Sequence, residues 1–83
     1  MREYLTLQAL RRGEVVNLDG IKFVMDEGDL RPGDLYIAER NTGPKFLTVE
    51  RVVMYGDSID YVVPTTNDYG YDGGECVKVK EAA

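Results

Sequence analysis

Val15-Val16-Asn17-Leu18-Asp19-Gly20-Ile21-Lys22-Phe23-Val24-Met25 is the stretch that decides the fold class. Two apolar runs flank Asp-Gly, and both central residues of a type I′ turn need positive φ, which that pair tolerates best. The spacing predicts a hairpin with Ile21, Phe23 and Met25 on one face and Lys22 and Asp26 on the other. Before it, Leu7 to Arg11 are good helix formers. Thr6 is placed to cap them, Gly13 to supply a left-handed exit, and Leu7 and Leu10 form a narrow apolar stripe. Arg11 and Arg12 sit where cations favour the helix dipole. So short a helix needs a core to dock on.

Beyond the hairpin, Asp26 to Asp34 is a turn region with Leu30 as its apolar anchor. Asp34 to Arg40 reads as a strand, with Leu35 and Ile37 on one face and Tyr36 and Ala38 on the other. Asn41-Thr42-Gly43-Pro44 breaks it, and Phe46 to Tyr55 is the longest strand. In it Leu47, Val49 and Val53 share a face while Val52 and Met54 oppose them. That pattern predicts a bulge that buries both sides near the strand's end. Ile59 to Val63 is a strand ended by Pro64, Thr65 to Glu75 a long polar loop, and Cys76 to Lys80 a last strand with Val77 and Val79 inward. Short strands, tight turns and one helix predict a mainly β fold over a single domain, residues 1–83. The expected form is a small antiparallel SH3-like barrel of about five or six strands with a short N-terminal helix, an α+β roll being the alternative.

Composition narrows the function. Ten Lys or Arg against fifteen Asp or Glu leave a net charge of −5. General nucleic-acid binding is therefore not expected, since phosphate affinity comes from cations. No apolar run is long enough for a membrane span, and the start lacks the apolar stretch of a signal peptide. A single cysteine permits no internal disulfide, which fits a cytoplasmic protein. Histidine is absent, which removes Ser-His and Cys-His machinery and histidine-bound zinc. Gly56-Asp57-Ser58-Ile59 is like the nucleophile motif of GDSL-type hydrolases, which need a histidine. Pairing Ser58 with Lys78 or Lys80 would need a desolvated lysine, whereas both look solvated. Cys76 reads as a small apolar side chain. Acidic residues gather at Asp26, Glu27, Asp29 and Asp34, and again at Asp57, Asp60, Asp68, Asp72 and Glu75. Their spacing does not meet an EF-hand, and they read as a solvated surface. The chain is expected to be no enzyme and to hold no metal and no cofactor.

Two segments read as binding elements. Arg40-Asn41-Thr42-Gly43-Pro44-Lys45 brackets a turn with two cations and sets Asn and Thr side chains beside exposed amides, an arrangement that suits phosphate or carboxylate. In Pro64 to Asp72, Tyr69 and Tyr71 can stack on a planar base while Thr65, Thr66 and Asn67 offer hydrogen bonds. The bland readings are an ordinary hairpin loop, and one tyrosine folding back to cover a barrel end. Candidate ligand-binding residues are Arg40, Asn41, Thr42, Gly43, Lys45, Thr65, Thr66, Tyr69 and Tyr71. Arg40→Ala and Tyr71→Ala are expected to weaken binding without unfolding. Whether the two segments share an end of the barrel decides whether they form one pocket.

RPGDLYIAERNTGPKFLTVERV (31–52) and DYVVPTTNDYGYDGGECVKV (60–79) resemble small proteins encoded by bacterial phages and prophages. The resemblance implies a non-enzymatic binder in the host cytoplasm, like the inhibitors or sponges that blunt bacterial defence, some of them by sequestering nucleotide immune signals. It carries over no functional residue. The expected ligand is thus a small anion such as a nucleotide, held by a homo-oligomer whose subunits share the walls of the site. The alternative is an acidic protein-binding module or inhibitor of a host protein, using its charged surface or the Cys76–Lys80 edge.

Overall fold

The computed structural model describes residues 4–66 and 69–82. One helix and seven strands follow in chain order: α1 (Leu5–Arg11), β1 (Val16–Leu18), β2 (Ile21–Met25), β3 (Leu35–Arg40), β4 (Gly43–Tyr55), β5 (Ser58–Pro64), β6 (Tyr71–Asp72) and β7 (Cys76–Glu81). A 3₁₀ turn, Gly73–Glu75, links the last two strands. All pairings are antiparallel, in the order β1-β2-β7-β3-β4-β5-β6. The sheet curls into a half-barrel, and no pairing joins β1 to β6 among the described residues. One strand more than the expected range comes from β6, which lies inside the segment read as a plain loop.

The Asp-Gly hairpin forms as its sequence demands. Asp19 has φ 53° and Gly20 φ 83°, and Val16 pairs with Phe23 across the turn. Asn17 Oδ1 accepts from the Gly20 N–H at 3.1 Å. Ile21 and Phe23 turn to the core, but Met25 is left at its rim, 36% exposed.

The helix starts differently from expectation. Tyr4, not Thr6, occupies the N-cap, and no local side chain caps it. Instead Glu39, far along the chain on β3, accepts the amides of Thr6 at 3.0 Å and Leu7 at 3.1 Å with one carboxylate oxygen. A negative charge against two otherwise orphaned donors satisfies both the hydrogen-bond requirement and the helix dipole. At the other end, Gly13 (φ 84°) donates to Leu10 O and Glu14 donates to Ala9 O, the paired bonds of a Schellman exit.

Alternation on β3 divides the interior in two. Tyr36 and Ala38 join Leu47, Val49, Val62, Tyr71 and Cys76 within the curl. Ile37 faces the other way, with Leu7, Leu10, Phe23, Val77 and Val79 under α1. Both faces of β3 are covered, one by the side chains inside the curl and the other by α1. β7 is equally central, pairing with β2 through Val79 and with β3 through Val77. It therefore offers no free edge for strand addition, contrary to expectation. The outer strands are β1 and β6.

The predicted irregularity in the longest strand is present. Register shifts between Val49 and Arg51, and between Val53 and Met54, place Glu50 as the extra residue on β4 and Asp60 as the extra residue on β5. The burial expected there does not follow. Val52 packs against the core, but Met54 is 53% and Tyr55 81% exposed, because the hairpin end runs past the body of the sheet. No helix among the described residues is long and apolar enough to cross a membrane.

Candidate functional site

The turn between β3 and β4 is made by Asn41 and Thr42, with Arg40 opposite Gly43. Neither turn residue has positive φ, and Gly43, which follows them, takes φ 102°, a conformation that glycine adopts at least cost. β4 consequently begins at Gly43, earlier than expected, and Pro44 and Lys45 lie within the strand. Lys45 sits opposite Ala38, close to the sheet.

Arg40, at the end of β3, reaches across to the segment before β7. Its Nε donates to Glu75 Oε2 at 3.2 Å, and its Nη2 donates to Glu75 Oε1 at 3.4 Å and to the Gly70 carbonyl at 2.6 Å. Its Cζ lies 4.2 Å from the centroid of the Tyr71 ring, and Lys45 Nζ lies 5.7 Å from the same centroid. Two cations thus face one aromatic ring, a contact worth about 0.5–2 kcal/mol for each well-placed cation, according to its desolvation. The Glu75 hydrogen bond, opposed by some burial, holds the guanidinium above its ordinary pKa, so Arg40 stays charged.

Glu75 is itself fixed. Its Oε1 accepts the Asp72 amide at 2.9 Å, and the Asp72 side chain returns the favour to the Glu75 amide, a reciprocal capping box on the 3₁₀ turn. Arg11 at the end of α1 adds a bond from Nη2 to the Gly74 carbonyl at 3.1 Å. Two arginines from different elements therefore hold the 70–75 segment in place.

Between these parts lies an open cleft of about 520 Å³, lined by Tyr4, Arg40, Asn41, Thr42, Lys45, Tyr69, Tyr71 and Glu75. The hairpin turn and the tyrosine-bearing segment meet at one end of the sheet. Of the residues singled out in the sequence, Arg40, Asn41, Thr42, Lys45, Tyr69 and Tyr71 come together there. Gly43, Thr65 and Thr66 do not line the cleft. Gly43 serves the turn, and Thr65 continues the sheet by donating its amide to Thr48 O at 3.0 Å. Asn67 and Asp68 lie outside the described residues.

The two tyrosines have different fates. Tyr71 is 4% exposed and belongs to the core, with Arg40 stacked on it, whereas Tyr69 is 87% exposed. Tyr69 therefore presents its ring at the cleft together with Tyr4, which the sequence reading did not single out. Glu75 was also passed over, although Asp72-x-x-Glu75 carries a legible capping-box spacing.

Cys76, Lys78 and Ser58 do not line the cleft. Burial foremost, and then Glu75, push the Cys76 thiol from its ordinary 9.0 up to about 12, so it is neutral in the folded protein. Cys76 is therefore expected to resist a thiol reagent near neutral pH and to label at once in concentrated guanidinium. Fast labelling without denaturant would contradict its burial. Because the folded pKa is the higher one, this thiol's contribution to stability is complete below pH 9.0 and is lost as pH rises from there towards about 12. Lys78 lies 3.5 Å from Asp34, so it is ion-paired, and Ser58 is exposed beside the β4–β5 turn. Among the described residues no group of three His, Cys, Asp or Glu is placed to hold a metal ion. The chain matches no protein-family model, no curated protein and no solved structure.

Proposed function

We propose that this protein is a non-enzymatic binder of a small anionic ligand, with a nucleotide as the chemistry that suits the cleft. The convergence of the Arg40–Lys45 hairpin turn and the Tyr69–Glu75 segment on one open cleft carries this reading. The Lys45 ammonium and the Asn41 and Thr42 side chains supply donors for a phosphate, and the exposed Tyr69 ring, with Tyr4, supplies a face for a base. The curled sheet serves as an SH3-like scaffold that presents these groups at one end. In the setting implied by the resemblance to phage proteins, it would sequester a nucleotide immune signal in the host cytoplasm. An open cleft gains a wall when a second copy covers it, which favours a homo-oligomer.

Calorimetry with a nucleotide panel tests the reading. Lys45→Ala and Tyr69→Ala should each weaken binding about tenfold or more, since stacking on an aromatic is worth about 1–3 kcal/mol per base. Their melting temperatures should stay within a few degrees of the parent. Unchanged affinity in both variants would remove the proposal.

A second reading, a protein-binding module, is favoured by the exposed Met54 and Tyr55 at the β4–β5 hairpin end beside acidic Asp57. Native mass spectrometry separates the two, because a copurified small molecule supports the first and a stoichiometric host protein the second.

A further inference from the structure

We propose that two copies of this chain join through their β4–β5 hairpin ends, β4 of one pairing antiparallel with β4 of the second about a twofold axis at Met54. The contact lies at the opposite end of β4 from the Arg40–Lys45 turn. It is therefore separate from the cleft and independent of the nucleotide reading.

The fold leaves one strand flank open there. β4 is interior in the strand order, yet β3 accompanies it only from Gly43 to Thr48. The last bonds on that side join Val49 to Asp34 and to Gly33, at 2.9 Å each. From Arg51 to Tyr55 the strand pairs with β5, and no backbone bond on its other flank occurs among the described residues. Gly56-Asp57 is a two-residue turn closed by Tyr55 and Ser58. A closing pair bonds to itself, so the alternate residues Met54 and Val52 direct their amides and carbonyls to the open flank. Such a flank is a template for a further strand, and proteins that keep one free commonly set a lysine, a proline or another charge on it. Val52-Val53-Met54-Tyr55 has none of these, and Met54 and Tyr55 are exposed.

The stretch is complementary to itself. With Met54 on the axis, the two Met54 residues exchange N–H···O bonds, and Val52 does so with Gly56 of the second copy. Arg51 then lies opposite Asp57 of the second copy and Val53 opposite Tyr55, each pair occurring twice. Opposite charges, and an aromatic against a β-branched side chain, are favourable cross-strand pairs. Arg51 and Asp57 are exposed, and neither forms an ion pair within the chain among the described residues. Other registers lose this match. An axis at Val53 breaks both ion pairs, and one at Val52 brings the second copy's Tyr55 onto Val49, whose flank Gly33 and Asp34 already occupy. Only residues 51–57 of each copy overlap, so the two bodies lie at opposite ends without colliding. So short a strand pair makes a small contact, about 1,200 Å² or less in total, and a dimer of about micromolar affinity.

Sedimentation equilibrium on the full chain, from about 1 µM to about 1 mM, tests the pairing. The parent should pass from monomer to dimer with a Kd of about 10–100 µM. Met54→Lys sets like charges against each other on the axis and should weaken association about tenfold or more, with the fold unchanged. Arg51→Asp and Asp57→Arg should each be monomeric alone, because like charges then face each other. An equal mixture of the two should dimerise about as tightly as the parent, since one chain supplies two acids and the other two cations. A parent that stays monomeric throughout overturns the proposal, and a host protein held by that monomer through the hairpin end assigns the surface to the protein-binding reading. A parent dimer that Met54→Lys leaves intact overturns the use of this strand. Folded charge variants that remain monomeric when mixed overturn the register about Met54.

Discussion

Tyr71→Ala is expected to destabilise the protein by about 3–5 kcal/mol, as large-to-small changes at buried aromatics do. The ring is 4% exposed, packs in the core with Tyr36, Ala38 and Val62, and carries Arg40 on its face. In a domain of this size each kcal/mol is worth about 4–8 °C, so the melting temperature should fall by about 12 °C or more. Tyr71→Phe keeps the packed ring and should cost about 1 kcal/mol or less. A Tyr71→Ala protein that melts within a few degrees of the parent would show that the ring does not anchor the core. The sequence suggests that Tyr71→Ala and Arg40→Ala weaken binding without unfolding, and the structure revises that. Both side chains hold the 70–75 segment against the sheet, so lost binding in either variant would be confounded with lost structure. Tyr69, 87% exposed, is the position at which binding is most directly tested.

Glu39→Ala should have the second largest effect, about 2–3 kcal/mol. Loss of an N-cap acceptor typically costs about 0.5–2 kcal/mol, and leaving buried amides without acceptors adds a desolvation penalty of about 1–3 kcal/mol, the two overlapping in part. The effect is concentrated because α1 has only seven residues and is marginal without both its cap and its docking surface. Leu7 and Leu10 are fully buried beneath it, so fraying of the first turn loosens the second core cluster. Glu39→Gln retains an oxygen acceptor without the charge and should lose about half as much. Urea melts give the stability, and hydrogen exchange at the Thr6 and Leu7 amides locates it. Unchanged protection at those amides in Glu39→Ala would contradict the capping role.

Local chemistry made much of this fold legible. Asp19-Gly20 needs only its own φ preferences, and the alternation from Leu35 to Ala38 announces a strand whether or not its partners are known. Contacts that close over long sequence separations were hidden. Nothing around Thr6 reveals that Glu39 caps the helix more than thirty residues away, and a Thr at that position is a better local guess than a Tyr. Tyr69 and Tyr71 share one periodicity, yet a short antiparallel pairing of Tyr71 with Val62 sends one ring inward and leaves the other outside. For the site, the cationic turn was readable as residue chemistry. Its pairing with Glu75 depended on β7 bringing that residue beside β3, which only the topology supplies.

That central β7 has a consequence for how the molecule is made. β2 and β3 never touch as paired strands; Cys76–Glu81 is inserted between them. Until that segment emerges during synthesis, α1 with the β1–β2 hairpin and the β3–β6 meander are two half-sheets, each with an unpaired flank and an uncovered apolar face. The nascent chain therefore reaches its native arrangement by a late zippering step across residues far apart in sequence, the kind of long-range closure that slows folding. Ribosome-bound chains halted before Gly73 should remain protease-sensitive, and the stacked Arg40–Tyr71 pair should acquire its Glu75 partner only in that final step.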